Sequence, residues 1–142
     1  MDETQQALIA ELKRELDSHL ALCGEILSTV EKEHQRLKSG GVDNLVEFFK
    51  GREGVLERLT QAQKRVFSYK ADWLGLPATV RARHSAIGTL IRQSLTLITR
   101  IISLDRENEQ LMLHRQLVPS RHLPAAQRQN PSLVSKIYRN NA

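Results

Sequence analysis

The chain is short of most residues that small domains lean on. Cys23 is its only cysteine, so no intramolecular disulfide can form and a reducing compartment fits. Aromatic residues make up 4% of it, which leaves an aliphatic core as the only option for its 142 residues. It has seven Gly and four Pro, and three of the prolines (Pro119, Pro124, Pro131) fall in the last quarter. That distribution allows long uninterrupted helices followed by a broken tail. No apolar run approaches the roughly 20 residues that span a bilayer, which excludes membrane insertion by a helix. Met1-Asp2-Glu3-Thr4-Gln5 lacks the basic and apolar regions of a signal peptide, so the expected location is the cytoplasm. A Gly-rich phosphate loop, a nucleophile elbow and a carboxylate cluster in an apolar setting are all missing. No catalytic, cofactor-binding or metal-ligating residue is therefore assigned, and an enzyme is not expected.

What is present is helical periodicity. Ile9, Leu12, Leu16, His19, Cys23, Ile26, Val30, Glu33 and Leu37 alternate three and four apart, and Leu8, Leu20, Leu22 and Leu27 widen the stripe. This predicts a first helix over about 4–38, roughly 50 Å long at 1.5 Å per residue, stopped by Ser39-Gly40-Gly41. So short a connection returns the second helix antiparallel to the first. That helix is predicted over about 43–72, capped by Asp43 or Asn44, with Leu45, Phe48, Phe49, Val55, Leu56, Leu59, Ala62, Val66, Tyr69 and Trp73 as its stripe. Gly51 and Gly54 inside it allow either a kink or plain local weakness. Leu74-Gly75-Leu76-Pro77 breaks the chain again, and a third helix is predicted over 78–117.

The third helix carries the most regular pattern in the sequence. Leu90, Leu97, Leu104 and Leu111 recur every seven residues, thickened by Ile87, Ile91, Ile98, Ile101 and Ile102, with Asn108 on the same seam. Leucines at heptad spacing are ordinarily core, and a buried amide such as Asn108 can fix helix register. The expected fold is all-α: a long antiparallel helical hairpin and a third long helix, forming a coiled-coil-like three-helix bundle over 1–118. A mobile tail over 119–142 follows. In it Leu133, Val134, Ile137 and Tyr138 form one face of a short helix, placed to fold onto a partner through the 132–138 segment.

Two other constellations carry less. His19 and Cys23 are four apart on one helical face, a spacing that suits two zinc ligands, but no second pair completes a site. Glu31, Glu33 and His34 sit toward the polar end of the first helix, where charged side chains are ordinarily solvated or paired along the surface. The tail has four bases (Arg121, Arg128, Lys136, Arg139) and no acid, within a net charge of +5. That is sparse for nucleic acid, and no nucleic-acid-binding module is visible.

The order of elements resembles the FlgN family of flagellar export chaperones. The likeness lies in a long amphipathic helix, a Gly break, a second helix opening with Val42-Asp43-Asn44-Leu45, and a Leu74-Gly75-Leu76 linker. An Ile/Leu seam then leads to Glu107-Asn108-Glu109-Gln110-Leu111. The resemblance implies a cytoplasmic chaperone of type III flagellar secretion. It would bind the hook-associated (hook–filament junction) proteins FlgK and FlgL, prevent their premature assembly and present them at the export gate. Leu133, Val134, Ile137 and Tyr138 occupy the place of the family's client- and gate-contacting region. The alternatives read from the residues are a structural coiled coil whose third-helix seam pairs two copies as a homodimer, and an adaptor acting through the basic tail.

Overall fold

The computed structural model describes residues 3–40 and 44–115. Among them are four helices: α1 (Glu3–Lys38), α2 (Leu45–Leu74), α3 (Ala78–Arg83) and α4 (Ser85–His114). All described regular structure is helical, as the periodicity requires. The predicted tail, with Leu133, Val134, Ile137 and Tyr138, lies outside the described residues.

Local chemistry sets the boundaries. α1 ends at Gly40, whose φ of +93° is the left-handed conformation that costs a glycine nothing. Asn44 starts α2: its side-chain oxygen accepts from the Glu47 backbone N–H at 3.1 Å, satisfying one of the orphan donors of the first turn. Leu74-Gly75-Leu76-Pro77 ends α2, and Pro77 opens α3. The third predicted helix is not continuous. His84 leaves the helical region at φ −125°, ψ 45°, dividing a six-residue α3 from α4. The break seats Leu76 and Val80 on the end of the main core, where both are buried. α2 runs through Gly51 and Gly54 without interruption, and a Cβ at either would meet nothing within 4 Å. Neither glycine serves a close approach.

Interhelix contacts give the directions. His19 meets Ser94, His34 meets Asn108, and the Arg115 guanidinium meets the Lys38 carbonyl, so α1 and α4 run parallel. Arg58 reaches back to Glu25, and Arg52 to Asp105, so α2 is antiparallel to both. The body is an up-down-up bundle in which α1 and α4 make the most extensive contact. The main core joins Leu12, Leu16, Ile26 and Val30 of α1 to Leu59, Ala62 and Val66 of α2 and Ile87, Ile91, Ile98 and Ile101 of α4. Each such buried aliphatic side chain contributes about 1.5–3 kcal/mol over its exposed state. A second, smaller cluster of Leu37, Phe48, Phe49 and Met112, with Leu111 against it, closes the end nearest Gly40.

The line of α1 that faces the core is the one the spacing picks out, with Leu27 added. On α4 the outcome differs. The buried line is Ile87, Ile91, Ser94, Ile98, Ile101, Asp105, Asn108 and Met112, alternating four and three. Leu90, Leu97, Leu104 and Leu111 stand one row aside, half-buried against the core. A seven-residue spacing identifies a row but not its orientation, and the leucine row lies about 60° around the helix from the Ile87–Ile101 row. Polar residues at 94, 105 and 108 hid the true line.

Candidate functional site

Three of those polar residues belong to two layers that cross the bundle. In the first, His19 of α1 donates from Nε2 to the Ala62 carbonyl of α2 at 2.9 Å. Its Nδ1 is then left to accept from the Ser94 hydroxyl of α4 (3.3 Å) and from the Cys23 thiol (3.6 Å). Tyr69 packs its ring edge-to-face on the imidazole, with centroids 5.8 Å apart. His19, Cys23 and Ser94 are all buried, so the pair has no route to a substrate. Burial also pushes the Cys23 thiol up, the reverse of what a nucleophile needs. Among the described residues no group of three His, Cys, Asp or Glu side chains could hold a metal ion.

The second layer separates the two apolar clusters. Arg52 takes a core position of α2, four residues after Phe48 and three before Val55. Its Nη2 donates to both oxygens of Asp105 (3.2 and 3.1 Å) and to Glu109 (2.8 Å) of α4. Asn108, fully buried, donates from Nδ2 to the Val30 carbonyl at 3.3 Å. Its Oδ1 therefore accepts from His34 Nδ1 at 2.7 Å, which fixes the proton on that ring nitrogen. Glu33 completes the layer. Rather than lying solvated on the surface, its side chain is buried, because the same turn that exposes Glu31 rotates residue 33 into the helix interface. Desolvation pushes its carboxyl up to about 7, against the opposing pull of Arg52 and Arg36 and with a push from Asp105. Desolvation also raises Asp105, countered by its pairing with Arg52. Glu33 Oε2 and Arg52 Nε have no hydrogen-bond partner among the described residues. Arg52 and Asp105 went unrecognised as core residues in the sequence. The only signal was their place at the three-and-four spacing of their stripes.

The open feature of the body lies outside these layers. α2 contacts one flank of α4, through Trp73 near Gly88 and Arg52 at Glu109, residues on one heptad row. The leucine row lies on the other flank. There α1 and α4 leave an open groove of about 700 Å³, whose lining includes Glu31 and His34 from α1 and Arg100, Ser103, Leu104 and Glu107 from α4. A second recess of about 470 Å³ continues it through Thr96, between Leu20 of α1 and Thr89 and Leu97 of α4. His34 thus joins groove and polar layer: one face lines the groove while Nδ1 holds Asn108. The result is an open groove between two helices, its lining mostly polar and charged, with Leu20, Leu95, Leu97 and Leu104 as its apolar residues. The structure brings Leu97, Leu104 and His34 to this face, with Asn108 buried behind His34, while Leu111 packs on the terminal cluster. Among the described residues no helix is long and apolar enough to cross a membrane. Comparison with protein-family models, curated proteins and solved structures finds no match to this chain.

Proposed function

We propose that this protein is a cytoplasmic export chaperone of the flagellar type III kind, holding an amphipathic helix of a hook-associated client against the open α1/α4 face. The observation that carries the reading is that groove: a parallel helix pair covered by α2 on one flank and by no described residue on the other. The resemblance of the element order to the FlgN family suggests the client class. A client helix would lay its apolar seam over Leu20, Leu97 and Leu104, while the Leu133–Tyr138 segment adds a second contact after the body is engaged. Nothing in this arrangement calls for a reactive group, so the role is holding and release. Helical clients with exposed seams associate with one another, and covering the seam reversibly keeps them separate until delivery.

The test is calorimetric titration of the full chain with hook-associated proteins of the FlgK and FlgL type. Binding is expected, weakened by at least about tenfold, or about 1.4 kcal/mol, in Leu97→Glu and again in Ile137→Ser. Absence of binding to either client, or binding indifferent to both substitutions, refutes the proposal.

A further inference from the structure

The charged layer sets three acids, Glu33, Asp105 and Glu109, around Arg52. The Arg52 Nη2 is committed to Asp105 and Glu109. Arg36, one turn past Glu33 on α1, stacks over the Phe48 ring at 5.3 Å. Among the described residues no hydrogen-bond donor reaches Glu33 Oε2, although the side chain is buried. A carboxyl group in that setting is tolerated best with its proton on, because the ionised form gives up water and gains no donor at that oxygen. The layer also falls at one level on all three long helices. Glu33 stands between Val30 and Leu37, Arg52 between Val55 and Phe49, and Asp105 and Asn108 between Ile101 and Met112. It therefore divides the core, leaving the small Leu37, Phe48, Phe49 and Met112 cluster on the Gly40 side and the larger one on the other.

We infer that the Gly40 end of the bundle is a proton-gated unit, closed while Glu33 is protonated and opening at the charged layer when Glu33 ionises, with the main core still folded. Opening lets water reach Glu33, separates Arg52 from Asp105, bares Phe48, Phe49, Leu37 and Met112, and frees Arg115 from the Lys38 carbonyl. The groups acting on Glu33 come from every helix packed there: Arg36 from α1 and Arg52 from α2 favour its charge, and Asp105 from α4 opposes it. Burial outweighs the two arginines, so the closed end holds the proton up to about pH 7, against 4.5 for the hydrated side chain. The closed state is thus favoured most below the hydrated value, and that advantage is lost as the pH rises through about 7. Asp105, also raised by burial, titrates in the same sense, while His34 turns from the layer's interior to Asn108. The end is small enough to open alone, since one polar layer and four apolar side chains hold it to the bundle.

The test is amide hydrogen exchange of the full chain at pH 6, 7 and 8, read as protection factors so that the intrinsic pH dependence of exchange drops out. Residues 34–38, 48–51 and 109–114 should be less protected than 23–30, 55–66 and 91–101 by at least about tenfold at pH 8. Protection of the end should fall by about tenfold between pH 6 and pH 8, the factor set by a carboxyl that titrates near 7 when closed. Simple fraying that leaves Glu33 covered carries no such dependence. Glu33→Gln keeps the shape of the protonated side chain and should cut the fall to about threefold or less, the remainder belonging to Asp105. Leu37→Ala, which thins the end cluster alone, should lower protection of the end at every pH and keep the fall. Equal protection of the end and the main core, end protection that is level from pH 6 to pH 8, or the parent's full fall in Glu33→Gln overturns the inference. So does a Leu37→Ala chain that loses protection equally throughout.

Discussion

Glu33 offers the sharpest test of the packing. Glu33 is buried at 7% exposure, with Arg52, Asp105 and Arg36 acting on its carboxyl and one oxygen unpartnered among the described residues. A glutamate in the unfolded chain releases its proton near 4.5, and in the bundle near 7. Folding therefore favours the protonated form. The stability this brings is fully present below the unfolded value and is lost as the pH rises through about 7. A gap of that size is worth about 3 kcal/mol by pH 8. Glu33→Gln mimics the protonated side chain at every pH. It should be roughly level with the parent at pH 5 and more stable by about 2–3 kcal/mol at pH 8. Urea unfolding followed by circular dichroism at pH 5, 6, 7 and 8 gives both curves. The variant should keep a residual slope, because the raised Asp105 titrates in the same sense. A Glu33→Gln protein less stable than the parent at pH 8, or one with the parent's full pH dependence, would show that Glu33 is hydrated or paired as a carboxylate, and the reasoning would fail.

Three further outcomes follow from the same geometry. Arg52→Met strands Asp105 and Glu109 against the buried Glu33. It should cost about 3–5 kcal/mol at pH 8 and clearly less at pH 5, read by the same urea series. Gly51→Ala and Gly54→Ala fill open space on a continuous helix; each should raise stability by about 0.5–1 kcal/mol, seen as a higher thermal midpoint. Ile98→Ala should cost about 2–5 kcal/mol as a core truncation. Leu97→Ala should cost about half that or less, since its side chain is only partly buried against the core.

The two polar layers give the bundle its specificity. Three helices with uniform aliphatic stripes could slide by a heptad and bury nearly the same area. In this chain a slide separates Arg52 from Asp105 and leaves Asn108 without the Val30 carbonyl, so each shifted register leaves buried polar groups unmade. The layers also divide the labour of the fold. The main cluster supplies most of the apolar burial, and the Phe48–Phe49–Met112 cluster seals the end beyond the charges, with Arg36 stacked over the Phe48 ring at 5.3 Å. The groove lies on the opposite flank from α2, so its occupancy need not disturb either cluster.

By itself the sequence determined α1 and α2, the two breaks at Gly40 and Pro77, a cap for α2 at Asp43 or Asn44, and the buried line of α1, where nine residues at three-and-four spacing all turn inward. These are local properties: a glycine that can take positive φ, a side chain that caps, and a period that matches two helical turns. Tertiary structure alone decided which row of α4 faces the core. Periodicity names rows, but burial depends on where α1 and α2 stand, so the isoleucine line with its Ser94, Asp105 and Asn108 displaced the more conspicuous leucines. It also decided the break at His84 and the partial burial of Arg52 against Asp105. A charge can occupy a core position only when another helix brings its counter-charge or hydrogen-bond partner within about 3 Å, and such partners lie some fifty to eighty positions away along the chain. The open face has the same origin: a leucine row is covered or left bare by the placement of neighbouring helices, which no spacing along one helix records.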